Sequence, residues 1–97
     1  MLTDIEEMNV LERAEAQWQF IANEIMFELV NASKAFSKDD FYKKARVYQM
    51  PPNFMAELVG QGFDEFRNAG YIRKTGETVV SERWPTNILD LWEPVNE

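Results

Sequence analysis

A mainly α, mixed α+β fold is predicted for this chain of 97 residues: three helices followed by a C-terminal β-hairpin. Three observations predict it. Apolar residues recur at helical spacing in three stretches before residue 70. Pro51 and Pro52 divide the second stretch from the third, because proline lacks an amide donor and disfavours helix in the residue before it. At Gly70 the period changes, and the chain beyond it reads as extended runs broken at Gly76 and by a loop at 83–87. That order of elements is the order of a winged helix-turn-helix, with the hairpin as the wing.

The first helix is expected over about 10–32. Two helix-start capping boxes, Thr3 with Glu6 and Asn9 with Glu12, leave its beginning open, and residues 1–9 form either an extension back to 4 or a flexible segment. Trp18, Ile21, Ala22, Ile25, Leu29 and Ala32 make one apolar stripe. At about 100° per residue, Phe20 and Phe27 lie on the opposite face, among Asn23, Glu24 and Asn31. Either the N-terminal segment or Leu91-Trp92 folds over them, or they form a dimer seam or partner site.

Ser37 and Asp40 start a second helix to about 48, with Phe41, Ala45 and Tyr48 inward. Asn53 is expected to cap a third helix over 54–69, buried through Met55, Leu58, Val59, Gly62, Phe66 and Ala69 and ended by Gly70. A turn at Thr75-Gly76 interrupts the extended chain of 71–81, and 88–92 reads as a final strand. The length allows one domain over 1–97.

Composition narrows function mainly by exclusion. The chain has no cysteine and no histidine, so disulfides, thiol nucleophiles, thiolate or imidazole metal ligands and the commonest general base are all absent. Asp39 and Asp40 are adjacent and point about 100° apart on a helix, which does not build a paired-carboxylate site. No phosphate-cradling glycine loop, metal box or nucleophile elbow is present. The expectation is a non-enzyme without cofactor. No apolar run approaches the roughly 20 residues of a bilayer span, and the first residues do not resemble a secretion signal, so a cytoplasmic protein without membrane contact is expected.

Charge is uneven along the chain. The net charge is -7, with -6 over residues 1–33, +2 over 34–83 and -3 over 84–97. The basic residues of the middle are Lys43, Lys44 and Arg46 on the second helix and Arg73, Lys74 and Arg83 around the wing. Five or six phosphate contacts, about what such a set could make, would give weak, salt-sensitive binding, slowed by repulsion from the acidic whole. The outward face of the third helix holds Ala56, Glu57, Gly60, Gln61, Asp64, Arg67 and Asn68. Small residues at 56 and 60 allow close backbone approach, Gln61 and Asn68 can bond base edges, and Arg67 can take a phosphate or a guanine. Glu57 and Asp64 oppose that on the same face, and an ordinary solvated face is the other reading.

From Phe36 to Trp92 the chain resembles small winged-helix proteins of phages and prophage-bearing bacteria. The resemblance rests on Phe36-Ser37, Asp39-Asp40, Pro52-Asn53, Gly60, Phe63, Ala69, Gly70 and Ile72, then Thr75-Gly76-Glu77, Ser81, Arg83 and Leu91-Trp92. It implies the same fold and a regulatory, double-stranded-DNA-binding role, with Asn53 among the candidate contacts. The two phenylalanines of the first helix, Phe20 and Phe27, which lie outside the resemblance, add a dimer seam to that expectation. The competing expectation is a protein-interaction module on the same scaffold, working through the acidic first helix and those two phenylalanines.

Overall fold

A computed structural model describes residues 10–95. The two N-terminal capping boxes and the expected flexibility of 1–9 therefore lie outside the described residues. Three helices, α1 (Val10–Asn31), α2 (Lys38–Val47) and α3 (Pro52–Asn68), precede an antiparallel pair, β1 (Ile72–Val80) and β2 (Ile88–Pro94). This is the mixed α+β, winged helix-turn-helix order that the change of period at Gly70 predicts.

Helix α1 buries Ala22, Ile25, Met26 and Leu29, with Ala14, Trp18, Ile21 and Val30 partly covered. Met26 widens the expected stripe, because its side chain lies against the Gly62 position of α3. Ala32 falls out of the stripe: the helix stops at Asn31 and Ala32 is exposed. In α2, Phe41 and Ala45 are fully buried, and the Asp40 carboxylate accepts from the Ser37 N–H at 2.9 Å. Tyr48 ends α2 as its cap and is exposed instead of inward, its hydroxyl donating to Glu28 of α1 at 3.2 Å.

Helix α3 begins earlier than expected. Pro51 is its N-cap and Pro52 its first residue, a position where the missing amide costs nothing because that donor would be unpaired anyway. Asn53 therefore sits inside the first turn, exposed, and does not cap the helix. Phe54 and Phe63 join the expected buried residues, while Ala69 is the exposed C-cap. Each helix stops on a residue in left-handed backbone: Ser33 (φ 55°), Gln49 (φ 60°) and Gly70 (φ 84°). Beyond α2 and α3 the next amides bond back across the last turn, Met50 to Ala45 at 3.0 Å and Tyr71 to Phe66 at 2.9 Å.

The expected turn at Thr75-Gly76 is a bulge. Lys74 pairs with Trp92 and Thr78 with Asp90, so Thr75, Gly76 and Glu77 together stand opposite Leu91 alone. Gly76 supplies the positive φ of 91°, and the Thr75 hydroxyl accepts from the Glu77 N–H at 3.0 Å. The chain reverses later, in the loop 81–87. A further pairing was not anticipated: Phe36, between α1 and α2, exchanges two 2.8 Å backbone hydrogen bonds with Trp92, adding a third backbone segment beside β2.

Phe63 joins these parts. Its ring meets those of Phe36, Phe41 and Trp92 edge-on, with centroids 5.8, 6.5 and 5.7 Å away. One α3 side chain thus contacts the α1–α2 link, α2 and β2, fixing where the hairpin stands relative to α3.

Candidate nucleic-acid interface

The outward face of α3 is solvent-facing. Ala56, Glu57, Gln61, Asp64, Arg67 and Asn68 are exposed, and Gly60 is half-buried. The two glycines differ in the way their positions on the helix predict. A Cβ at Gly62 would lie 3.2 Å from Met26 Cγ, so Gly62 serves the α1–α3 contact. A Cβ at Gly60 would meet nothing within 4 Å. Internal packing therefore gives no reason for a glycine at 60, although it costs a helix interior about 1 kcal/mol relative to alanine.

Beside this face, α3 and the hairpin enclose a crevice of about 270 Å³ lined by Lys38, Asp64, Arg67, Lys74, Asp90 and Trp92, among others. Three cations converge there from three elements: Lys38 from the start of α2, Arg67 from the last turn of α3 and Lys74 from β1. Their environments differ. Lys74 lies 3.3 Å from Asp90 and 5.6 Å from the centre of the Trp92 ring. Lys38 stands 5.9 Å over Phe63. Neither Lys38 nor Arg67 has a carboxylate within salt-bridge distance among the described residues. Lys38 was not anticipated, since in sequence it reads only as the first residue after a helix cap.

The remaining basic candidates lie elsewhere. Arg73 bonds its cross-strand neighbour Glu93 at 2.8 Å. Lys43 bonds Glu82 at 2.9 Å, and this hydrogen bond, followed by the charge of Glu82, raises the lysine pKa above its ordinary value. Arg83 stacks 4.3 Å over Tyr42 and 5.7 Å over Trp84. Arg46 is exposed on α2, and Lys44 faces a separate groove beside Lys34. Of the wing cations, only Lys74 joins the crevice.

Besides the Lys43–Glu82 and Arg83–Tyr42 contacts at the surface, a buried carboxylate ties the wing loop to α2. Asp39, buried at 8% exposure, accepts from the Ser81 hydroxyl at 3.0 Å and from the Glu82 N–H at 2.7 Å. Ser81 Oγ in turn accepts from the Trp84 N–H at 2.9 Å, and the Asn87 carbonyl accepts from the Ser81 N–H at 3.0 Å. Asp39 and Asp40 do diverge, as their adjacency on a helix requires: one reaches the wing and the other caps α2.

The opposite face of α1 is not uniform. Phe27 meets Phe66 and Tyr71 edge-on, at 5.0 and 6.0 Å, so its cover comes from the end of α3. Trp92, one of the expected covers, packs instead on Phe63 in the core, and the N-terminal segment lies outside the described residues. Phe20 remains 66% exposed. At the far end of the hairpin, the paired residues Val80 and Ile88 are exposed together with Trp84. Among the described residues, no helix is long and apolar enough to cross a membrane, and no cluster of three or more carboxylates could hold a metal ion. No protein-family model, curated protein or solved structure matches the chain.

Proposed function

We propose that the chain is a DNA-binding winged-helix domain with a regulatory role, of the kind its resemblance to phage and mobile-element proteins implies. The observation that carries this reading is the convergence of Lys38, Arg67 and Lys74 beside the open α3 face. In this reading α3 lies on the duplex, with Gly60 letting the helix backbone approach and Gln61 and Asn68 offering donors and acceptors to base edges. Backbone phosphates sit at the crevice, where Arg67 provides a two-pronged donor and Lys38 and Lys74 provide point charges. Asp64 and Asp90 subtract from the local field, which makes the binding weak.

Three phosphate contacts predict a fall of log K with log salt of slope about -3 for B-form DNA. Fluorescence anisotropy of a labelled random duplex at low and moderate salt measures it. Micromolar binding with that slope, lost in a K38A/R67A/K74A variant, is the expected result. No binding at low salt, or full binding by the triple variant, overturns the reading.

A second reading has its own support. Phe20 on the acidic α1, and Val80, Trp84 and Ile88 at the hairpin end, are apolar side chains left in water. They suit a protein-interaction module or a homodimer seam on the same scaffold. Because Phe27 is half-covered by α3, Phe20 is the α1 residue to test. A folded F20E variant that keeps its oligomeric state and its partners removes α1 from consideration.

A further inference from the structure

A second concavity, of about 340 Å³, opens between the end of α1 and α2. Its floor is apolar, made by the buried Leu29 and Phe36, with Ala32 and Ala35 at the edge and lysines 34, 43 and 44 around it. It shares no lining residue with the α3 crevice. Two of the charged groups at its rim are already engaged. Asp40 accepts from the Ser37 N–H at 2.9 Å, and Lys43 bonds Glu82 at 2.9 Å. Lys34 and Lys44 have no carboxylate within salt-bridge distance among the described residues. The groove thus offers two uncommitted cations above an apolar floor, on a chain whose net charge is -7.

We infer that this groove is a docking site for an acidic segment of a partner protein that carries an apolar side chain between its carboxylates. Charge complementarity selects the acid: Lys34 and Lys44 keep their charges unpaired in the free chain and gain partners on binding. The floor selects the apolar anchor. A carboxylate-bearing peptide with a leucine or phenylalanine uses both features, whereas a nucleic-acid backbone presents phosphates without an apolar group to cover Leu29 and Phe36. Ala32, Lys34 and Ala35 are exposed at the edge of the groove, so a segment can enter from the surface without opening the fold. The site is independent of the DNA reading and survives its failure.

The test uses the full chain and a fluorescein-labelled hexapeptide, Asp-Glu-Leu-Phe-Glu-Asp, read by anisotropy. Binding in the micromolar range is expected, weakened about tenfold or more by K34E/K44E and by replacing the peptide's Leu-Phe with Ser-Ser, and unchanged by K38A/K74A. Equal affinity of the wild type and K34E/K44E, or equal binding of the Ser-Ser peptide, overturns the inference. A map of amide shifts on the wild-type protein keeps the test decisive if the double variant misfolds. Saturable shifts centred on Leu29, Ala35 and Lys44 support the groove. Shifts centred on Lys38, Arg67 and Lys74, or none that saturate, reject it.

Discussion

Helices α1 and α3 meet through apolar packing, with the Met26 side chain over the Gly62 position and Phe27 against Phe66. The hairpin loop meets α2 differently. There one buried carboxylate, Asp39, receives a hydroxyl and a backbone amide, and the loop closes on itself around Ser81. The first contact is non-directional and grows with area; the second depends on the positions of a few polar atoms. The helical body should therefore tolerate changes of shape that keep its volume, while the wing should respond to the loss of a single acceptor. Where the wing stands beside α3 is set jointly, by Phe63 from the apolar side and by Asp39 from the polar side.

The largest expected effect is at Phe63. Truncation to alanine removes the ring that touches three other segments and should cost about 3–5 kcal/mol, a large share of the stability of a domain this size. Chemical denaturation measures it; a loss under 1 kcal/mol would mean that the hub can collapse and refill. Next is Asp39→Ala, which leaves the Ser81 hydroxyl and the Glu82 amide without their acceptor and should cost about 1–3 kcal/mol. Hydrogen exchange separates the two regions: the amides of Glu82 and Trp84 should lose protection while those of Ile25 and Met26 keep theirs. Uniform loss over the whole chain would show that wing and body open as one unit.

The two glycines of α3 sharpen the comparison further. Gly62→Ala gains helix propensity but places a methyl 3.2 Å from Met26 Cγ, so it should come out about 1 kcal/mol less favourable than the same change at Gly60. Gly60→Ala meets nothing and should stabilise by about 1 kcal/mol, through helix propensity alone. If it also weakens DNA binding, close backbone approach at 60 is the reason for glycine there. The smallest effect belongs to Tyr48. Its hydrogen bond to Glu28, reinforced by that residue's charge, raises the phenol pKa. A raised pKa means the folded state holds the proton more tightly than the unfolded chain, so the contribution is full below the ordinary tyrosine value. It disappears as pH rises through the raised one. A phenolate absorbance titration should show Tyr48 ionising above the ordinary tyrosine range, and Glu28→Gln should lower its transition.

Much of this architecture was legible because local rules and tertiary structure agree. Gly70 ends α3, Ser37 starts α2 and the α1 stripe is buried, each as spacing and cap chemistry require. Four misplacements share one cause. Ala32, Tyr48, Asn53 and Ala69 all lie within a turn of a helix end, where a shift of one or two residues moves a side chain from the core to water. The α3 start moved because a proline, which needs no amide partner there, replaced an asparagine cap. The wing was less legible, since its contacts are remote in sequence: Asp39 holds residues 42 and 43 positions away. Likewise, no local signal pairs Phe36 with Trp92 or brings Lys38 and Arg67 to one crevice.

The three left-handed helix stops leave a reserve for change. Only α3 ends on glycine; Ser33 and Gln49 hold the same conformation with side chains that disfavour it. Replacing either by glycine relieves that strain, with part of the gain offset by a freer unfolded chain, for a net of about 0.5–1 kcal/mol. Neither position lines the crevice beside α3. Substitutions on the α3 face that lose some stability could thus be offset at two places outside that face and its crevice.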